Sequence, residues 1–260
     1  MQKSNAFRFK QFAVTQERAA MKVGTDGVLL GAWVSLEGAL RRVLDVGTGT
    51  GVIALMLAQR TAAETEPPVI DAVEVDSEAA REAEANFAAS PWGARLRAYD
   101  TAIQSYATNY REAKYDLIVS NPPYFMAGTD FRRGFDHSAA ATQPTAARVA
   151  ARHAEALPYD ELIDTVSGVL EGENGRFAAI FPYREAGIFV AKAAARGLYA
   201  HRMLEVRGTP HKPVKRMAIE FSFRRPKPEA IVREELCIED GEGHFTEAYR
   251  SLTQDFYLRF

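Results

Sequence analysis

The sequence lacks a second cysteine and any long apolar run, and each of these absences excludes some classes of protein. Cys237 has no second cysteine with which to form a disulfide, and it has no metal-ligand partner at a recognisable spacing. No stretch approaches the roughly 18 apolar residues that a membrane-spanning helix needs. The segment MQKSNAFRFKQF at residues 1–12 lacks the apolar core of a secretory signal. These features predict a cytoplasmic protein with no membrane segment, disulfide or bound metal.

Charge is nearly balanced over the chain, with a formal net charge of −2. Binding to nucleic acid would therefore need a local basic surface. Two segments are basic, residues 1–22 and residues 202–227, and an acidic segment at 229–242 follows the second. Charge is sorted along the sequence, which leaves local nucleic-acid binding open.

Apolar strand-like runs alternate with helical patterns in the central part of the chain. We expect strands at 41–47, 69–76, 94–100, 115–120 and 175–182, and helices at 51–60, 77–90, 159–171 and 184–197. This alternation predicts an α/β fold, a doubly wound and mostly parallel sheet with helices on both faces. The consecutive strands HRMLEVRG and RMAIEFSF predict an antiparallel hairpin at one edge of that sheet.

No internal repeat or low-complexity linker divides the 260 residues. We therefore expect one domain over 1–260, in which about the first 40 residues form a short basic extension. Residues 126–157 are the one long irregular stretch, and loops of that length in ordered domains are usually functional or mobile. Within it, Arg148, Arg152 and His153 are candidates for substrate contact.

A glycine loop lies between the first strand and the first helix of the alternating part. The stretch LDVGTGTGVIAL places Gly47, Gly49 and Gly51 there. Glycines let the backbone turn tightly and approach a ligand closely, and the helix N-terminus then presents N–H groups to that ligand. Glu74, at the end of the next strand, could accept hydrogen bonds from ribose hydroxyls.

Two cofactors fit this loop equally well. Gly49, Gly51 and Ala54 match the dinucleotide pattern G-x-G-x-x-A, which suits a nicotinamide enzyme. The alternative is S-adenosylmethionine, held in a D-x-G-x-G-x-G loop that Asp45 leads. Asp100, at the end of the third strand, could accept a hydrogen bond from an adenine amino group. Open α/β sheets bind ligands at the carboxyl ends of their strands, where these acidic residues lie.

The stretch LIVSNPPYF ends the fourth strand on an unusual group of residues. Asn121 carries an amide oxygen that accepts hydrogen bonds. Pro122 and Pro123 stiffen the loop and leave it with carbonyl groups instead of N–H donors. Acceptors placed on both N–H bonds of a planar amine favour the pyramidal nitrogen that develops when the amine attacks. Tyr124 would stack on the substrate plane, as expected for a flipped-out base.

These motifs together resemble a known family. NPPY after YDLIVS, with DVGTGTG, VEVD and AYDTA upstream, is similar to the amino-directed class I S-adenosylmethionine-dependent methyltransferases. FRFKQFAVTQERAAMKVGTDGVLLGAWV near the start and TEAYRSLTQDFYL at the end resemble the bacterial tRNA(Val) adenine-37 N6-methyltransferases. The resemblance spans nearly the whole chain and implies a Rossmann-like, seven-stranded sheet.

The resemblance also implies a role for each motif. Lys22 and Thr25, in the segment KVGTD, would contact the methionine end of the cofactor. The loop around the cofactor would comprise Asp45, Gly47, Gly49 and Gly51, with Glu74 on the ribose and Asp100 and Thr101 on the adenine. Catalysis would depend on Asn121, Pro122, Pro123 and Tyr124, which present the target amine in line with the methyl group, and Asn121 would also contact the cofactor.

Three substrate classes share the Asn-Pro-Pro-Tyr chemistry: an adenine N6, another RNA base amine, and a protein glutamine amide. Enzymes that act on glutamine typically carry a helical N-terminal domain longer than the roughly 40 residues that precede the glycine loop here. The basic segments instead favour RNA, and an anticodon loop offers an exposed base. We therefore expect a tRNA anticodon stem-loop as the partner, with no obligate protein partner. The expected RNA contacts are Arg8, Lys10, Arg18, Lys212 and Arg216.

Overall fold

A parallel ladder of buried strands forms the centre of the computed structural model, which describes residues 6–110, 112–122 and 158–260. In chain order the strands are β1 (Phe7–Arg8), β2 (Ala13–Val14), β3 (Arg42–Val46), β4 (Val69–Glu74), β5 (Leu96–Asp100), β6 (Leu117–Ser120), β7 (Arg176–Pro182), β8 (Tyr199–Arg207), β9 (Arg216–Ser222) and β10 (Val232–Cys237). The helices are α1 (Thr25–Trp33), α2 (Val52–Arg60), α3 (Ser77–Ala88), α4 (Ile103–Asn109), α5 (Tyr159–Val169), α6 (Tyr183–Ala194) and α7 (Glu247–Thr253).

Among the described residues, the main sheet has eight strands in the order β10-β8-β9-β7-β6-β3-β4-β5, and β1 and β2 form a separate hairpin. Strands β3 to β7 are parallel to one another, whereas β9 is antiparallel to both β7 and β8. The α/β fold class with a mostly parallel sheet is confirmed, and so is the antiparallel pair.

Two apolar layers cover the two faces of the sheet. On one face, α1, α2, α3 and α7 pack through residues such as Leu30, Leu55 and Phe87. On the other, α4, α5 and α6 pack through Tyr106, Ile163 and Phe189. Continuous apolar strands such as LIVS are explained by this burial on both sides.

The expected N-terminal extension is part of the first apolar layer. Phe9, Phe12 and Val14 are buried in it, and seven successive residues of α1, Gly27–Trp33, are buried too. A helix that is apolar all round has no 3.6-residue pattern, and for this reason the sequence did not predict α1. The helix α3 begins at Ser77, as predicted, and its N-cap is Asp76, whose carboxylate accepts from the backbone N–H groups of Glu78 and Ala79.

Strand β10 corrects two details of the prediction, because the sheet has eight strands instead of seven and the hairpin is not at its edge. β10 pairs in parallel with β8 and forms the outermost strand. Its sequence VREELC is charged and mostly exposed, as is common for edge strands. Glu234 pairs with Arg202 and Glu235 pairs with Arg207, so the acidic segment partly neutralises the basic one.

None of the helices in the described part of the chain is long and apolar enough to cross a membrane.

Candidate active site

The candidate site lies where the strand order changes direction, at the carboxyl ends of β3, β4, β5 and β6. β3 has β4 on one side and β6 on the other. Ligands of open α/β sheets bind in the crevice at such a switch point. The loop after β3, the end of β4 and the residue after β6 therefore meet in one crevice, as the sequence predicted.

The glycine loop is held against β4 by its backbone. The N–H groups of Gly47 and Thr48 both donate to the carbonyl of Val73, at 2.9 and 3.2 Å. Gly47 and Gly49 have φ angles of 70° and 55°, and a Cβ on either one would lie in open space. These two positions form a cradle that a ligand can approach closely.

Gly51 serves a different purpose from the other two glycines. It has a φ of 83° and forms the N-cap of α2, and an added Cβ would lie 2.5 Å from Cε1 of Phe87. Its missing side chain leaves space for α3 to pack on the loop. The site contains two cavities, and Gly51 lines neither of them.

Asp45 is buried beneath the glycine loop and does not face the cavities of the site. The residue is fully buried, and its carboxylate accepts from the Thr48 hydroxyl at 2.6 Å. Burial raises the pKa of Asp45 to about 7, and the nearby charge of Glu74 adds to the rise. Asp45 lines neither cavity, so the geometry assigns it to the support of the loop.

Glu74 connects the glycine loop to the start of α3. Its Oε2 accepts from the N–H of Gly49 at 2.9 Å, and its Oε1 accepts from Val75 and Asp76 at 2.9 and 3.1 Å. These bonds orient the carboxylate into the first cavity, which it lines. A carboxylate oriented in this way can accept hydroxyl groups of a ligand.

Asn121 follows β6 directly and is positioned by its neighbour. The buried Ser120 hydroxyl donates to the carbonyl of Val46 at 2.8 Å, which ties the end of β6 to the end of β3. Asn121 consequently lies beside Gly47 and lines both cavities of the site.

The two cavities share Met21, Gly47, Gly49 and Asn121. The first has a volume of about 190 Å³ and the second about 290 Å³. Together they fall in the range of roughly 300–1,000 Å³ that ligand sites occupy. The first is mainly apolar, with walls that include Met21, Val75, Ala79, Ile103, Pro122 and Leu162. Met21 and Val75 are 45% and 53% exposed, so both present apolar surface that a flat ring could cover.

The second cavity is more polar and lies between the start of α1 and the start of β9. Lys22 and Thr25, expected at the cofactor, both line it. Arg216 lines it too, and its Nε donates to Asp26 Oδ2 at 2.7 Å. Arg216 was predicted to bind RNA, whereas the structure pairs it with Asp26 in this wall.

Thr101 and Asp100 differ in their relation to the first cavity. Thr101 lines it, and its N–H donates to the carbonyl of Glu74 at 2.9 Å. Asp100 is exposed at the end of β5 and is not part of the lining. Its expected contact with an adenine amino group stays a prediction.

The remaining basic candidates have varied surroundings. Lys10 donates to the backbone carbonyls of Gln254 and Phe260, at 2.7 and 2.6 Å, so it joins the two ends of the chain. Arg18 pairs with Glu78 at 2.9 Å. Arg8 is exposed on β1, and Lys212 is exposed in the turn between β8 and β9.

Several predicted residues lie outside the described part of the chain. These are Pro123 and Tyr124 of the Asn-Pro-Pro-Tyr motif, together with Arg148, Arg152 and His153.

The described residues include one group that could hold a cation, and its members line neither cavity. Asp240, Glu242 and His244 are exposed, and their ligand atoms lie within 4.8 Å of one another. Asp240 Oδ1 accepts from the N–H groups of Glu242 and His244, as in an ordinary acidic turn. This turn accounts for the cluster, and we assign no metal to it.

The sequence alone did not identify the apolar walls or the second cavity's ion pair. Val75 and Ile103 follow closely after Glu74 and Asp100, the acidic residues predicted at strand ends. This position was the signal in the sequence that could have identified them as wall residues. Nothing in the sequence pairs Asp26 with Arg216, because they are 190 residues apart.

The chain is similar to known proteins over almost its full length. Residues 24–144 match the family model "Methyltransferase small domain". A tRNA1(Val) (adenine(37)-N6)-methyltransferase of Christiangramia forsetii is 42% identical over 97% of this chain and 98% of its own. The protein of the same name from Tolumonas auensis is 39% identical over 98% of each chain.

Solved structures resemble the fold at low sequence identity. A predicted O-methyltransferase from Agrobacterium tumefaciens has a TM-score of 0.61 at 16% identity, over 89% of this chain and 96% of that one. A methyltransferase from Pyrococcus furiosus has a TM-score of 0.52 at 16% identity, over 82% and 90%. At these identities the likeness concerns the fold alone, which is that of class I methyltransferases.

We predict that Gly51→Ala destabilises the protein by about 1–3 kcal/mol more than Gly38→Ala. Both positions have a positive φ, 83° and 87°, so both substitutions cost backbone strain. The new methyl at Gly51 must also displace the Phe87 ring, whereas nothing lies within 4 Å of the one at Gly38. Urea unfolding of the two variants measures the difference, and equal losses would contradict the packing role of Gly51.

The raised pKa of Asp45 leads us to predict that the free energy of unfolding depends on pH in a specific way. Its carboxyl ionises near pH 4 in the unfolded chain but only near pH 7 in the folded protein. Between these values the unfolded state has released a proton that the folded state keeps, so raising the pH favours unfolding. Relative to Asp45→Asn, the wild-type free energy of unfolding should fall between pH 4 and 7, by at most about 1.4 kcal/mol per pH unit, and level off above pH 7. Parallel curves for the two proteins in urea would contradict the assignment.

Proposed function

The chain belongs to the tRNA1(Val) (adenine(37)-N6)-methyltransferase family, and from this membership and the site geometry we propose that it methylates the exocyclic N6 of an adenine in a tRNA anticodon loop. The methyl donor is S-adenosylmethionine, and the target is adenine 37 of tRNA1(Val), as the relatives are named. One observation carries the proposal beyond the family: Asn121 lines both cavities, at the boundary between them.

The crevice fits an adenosine-containing cofactor. Glu74 holds the ribose hydroxyls, since its carboxylate already accepts three backbone N–H groups that orient it. The cradle at Gly47 and Gly49 admits the ligand without steric hindrance. Val75 and Ile103 would provide apolar surface for the adenine ring.

The second cavity would hold the methionine end of the cofactor. Lys22 and Arg216 are cations that suit the carboxylate of the methionine moiety, and Asp26 suits its ammonium group. When bound, S-adenosylmethionine supplies an electrophilic methyl group on a sulfonium centre. Asn121, in the shared wall of the two cavities, would then be placed to act on the amine that receives this group.

Asn121 acts on the target amine through hydrogen bonds. Its side-chain oxygen and the Pro122 carbonyl accept the two N–H bonds, which favours the pyramidal nitrogen of the transition state. Held in this way, the amine nitrogen would accept the methyl group that S-adenosylmethionine supplies, with the carbon–sulfur electron pair remaining on sulfur and the amine proton passing to solvent. Stacking of Tyr124 on the base completes the proposed arrangement.

Lysines in the turn between β8 and β9, at the same end of the sheet, support a tRNA substrate. The turn between β8 and β9 lies at the carboxyl ends of the parallel strands, and its residues Gly208 and Lys215 line the second cavity. Lys212 is exposed in this turn and lies between these two lining residues in sequence. A cation there can contact backbone phosphates while a base enters the site. A tRNA substrate also makes the cytoplasm the proposed location.

The decisive assay is methyl transfer from labelled S-adenosylmethionine to total tRNA that lacks its own N6-methyladenosine, followed by nucleoside analysis. We expect label in N6-methyladenosine. A protein that binds the cofactor but labels no nucleoside would redirect the proposal to a glutamine amide, whose planar nitrogen the same acceptors suit.

In this assay we predict that Asn121→Ala lowers turnover at least about 100-fold, because an acceptor that acts in the transition state is lost. Affinity for S-adenosylmethionine, measured by calorimetry, should stay within about twofold, since several other residues hold the cofactor. Asn174→Ala, an exposed asparagine at the opposite end of the sheet, is the matched control. Collapse of cofactor affinity in the Asn121 variant would instead make Asn121 a cofactor residue.

We predict that Lys212→Ala weakens tRNA binding and reduces the slope of log K against log salt concentration by about one. Lys114→Ala removes the same charge at the opposite end of the sheet and should change neither quantity. Filter binding at several salt concentrations measures both. An unchanged slope in the Lys212 variant would exclude this turn from the RNA surface.

A further inference from the structure

Residues 15–23, here called the wall segment, form one side of the site without being part of the sheet. Ala20 and Met21 line the first cavity, and Met21 and Lys22 line the second. The segment lies between strand β2 and helix α1, and regular secondary structure does not hold it there. Some other set of interactions must therefore keep this side of the site in place.

Glu82 of α3 provides most of these interactions. Its Oε1 accepts from the N–H of Glu17 at 2.5 Å, and its Oε2 accepts from Arg18 and Ala19 at 2.8 and 2.7 Å. The side chain is only 5% exposed. Burying a carboxylate costs free energy when it has no hydrogen-bond donors. These three bonds therefore strongly favour the observed position of the wall segment against α3.

Asn86, one helical turn further along α3, adds a second anchor. Its Oδ1 accepts from the N–H of Thr15, and its Nδ2 donates to the carbonyls of Thr15 and Thr50, each at 2.9 Å. Asn86 is 3% exposed. Since Thr50 belongs to the glycine loop, this one amide connects the wall segment to the loop that cradles the ligand.

We propose that Glu82 and Asn86 are positioning residues for cofactor binding, which they support by fixing the wall segment against the glycine loop. Neither residue lines a cavity, so neither contacts the cofactor itself. The inference rests on the proposed function, because it takes the ligand of the first cavity to be S-adenosylmethionine. Loosening the segment moves Met21 and Lys22 away and leaves the rest of the crevice intact.

The test compares Glu82→Gln with Glu84→Gln. Glu84 lies on the same helix, but its carboxylate accepts from the N–H of Ala98 on β5, far from the wall segment in sequence. A glutamine at position 82 keeps the shape but replaces one acceptor oxygen by a donor amide, which cannot bond N–H groups. We expect the Glu82 variant to raise the KM for S-adenosylmethionine at least tenfold, with kcat at saturating cofactor and tRNA within about twofold of the wild type. The Glu84 variant should leave both unchanged.

Hydrogen exchange provides a second reading that needs no turnover. In Glu82→Gln the amides of Glu17, Arg18 and Ala19 should exchange faster, and bound S-adenosylmethionine should slow them again. A general loss of stability would accelerate exchange throughout the sheet as well. If the glutamine variant does not fold, the same two measurements on Glu82→Asp, which is one methylene shorter, decide the question.

Two negative results separate the inference from the proposed function. If the Glu82→Gln variant folds and binds the cofactor with the same affinity as the Glu84→Gln variant, the inference is overturned and the proposed function stands. A wild-type protein that binds no S-adenosylmethionine in calorimetry would overturn the proposed function, and the inference with it.

Discussion

The register of three parallel strands determines where the chemistry of this protein takes place. Val46 at the end of β3 lies opposite Val73 of β4 and opposite Ser120 of β6. The next residues along these three strands are Gly47, Glu74 and Asn121. They meet at one level only because the strands end together. A shift by one residue would turn each side chain to the other face of the sheet, and the loop, the carboxylate and the amide would no longer share a crevice.

Much of the central site could be predicted because its residues are close to strand ends in sequence. Gly47, Glu74, Thr101 and Asn121 all line the first cavity, and each follows or ends a strand with a clear apolar pattern. The roles within the glycine loop could not be separated in this way. Gly49 faces open space while Gly51 faces the Phe87 ring, and the distinction depends on how α3 packs.

Contacts between distant segments explain what the sequence did not predict. Arg216 belongs to a basic stretch, and only the fold brings it, at the start of β9, to Asp26 near the start of α1. Strand β10 was read as an acidic segment, and its acids pair with arginines of β8. Arg202 and Arg207, which contribute to a basic segment in the sequence, are therefore partly neutralised in the folded protein, whereas Lys212 is exposed.

The bonds of Lys10 to Gln254 and Phe260 also bear on the order in which the molecule is completed. A ribosome releases residues in sequence, so the sheet from β3 to β7 can assemble while the last residues are still being added. Until those residues are present, Lys10 lacks the two carbonyl groups to which it donates. Before Phe260 has been added, the strand ends of the crevice can already be in place, and so can the wall segment, which Glu82 and Asn86 hold. The bonds from Lys10 to Gln254 and Phe260 form only afterwards, so they fasten the N-terminal hairpin to a site that is already built.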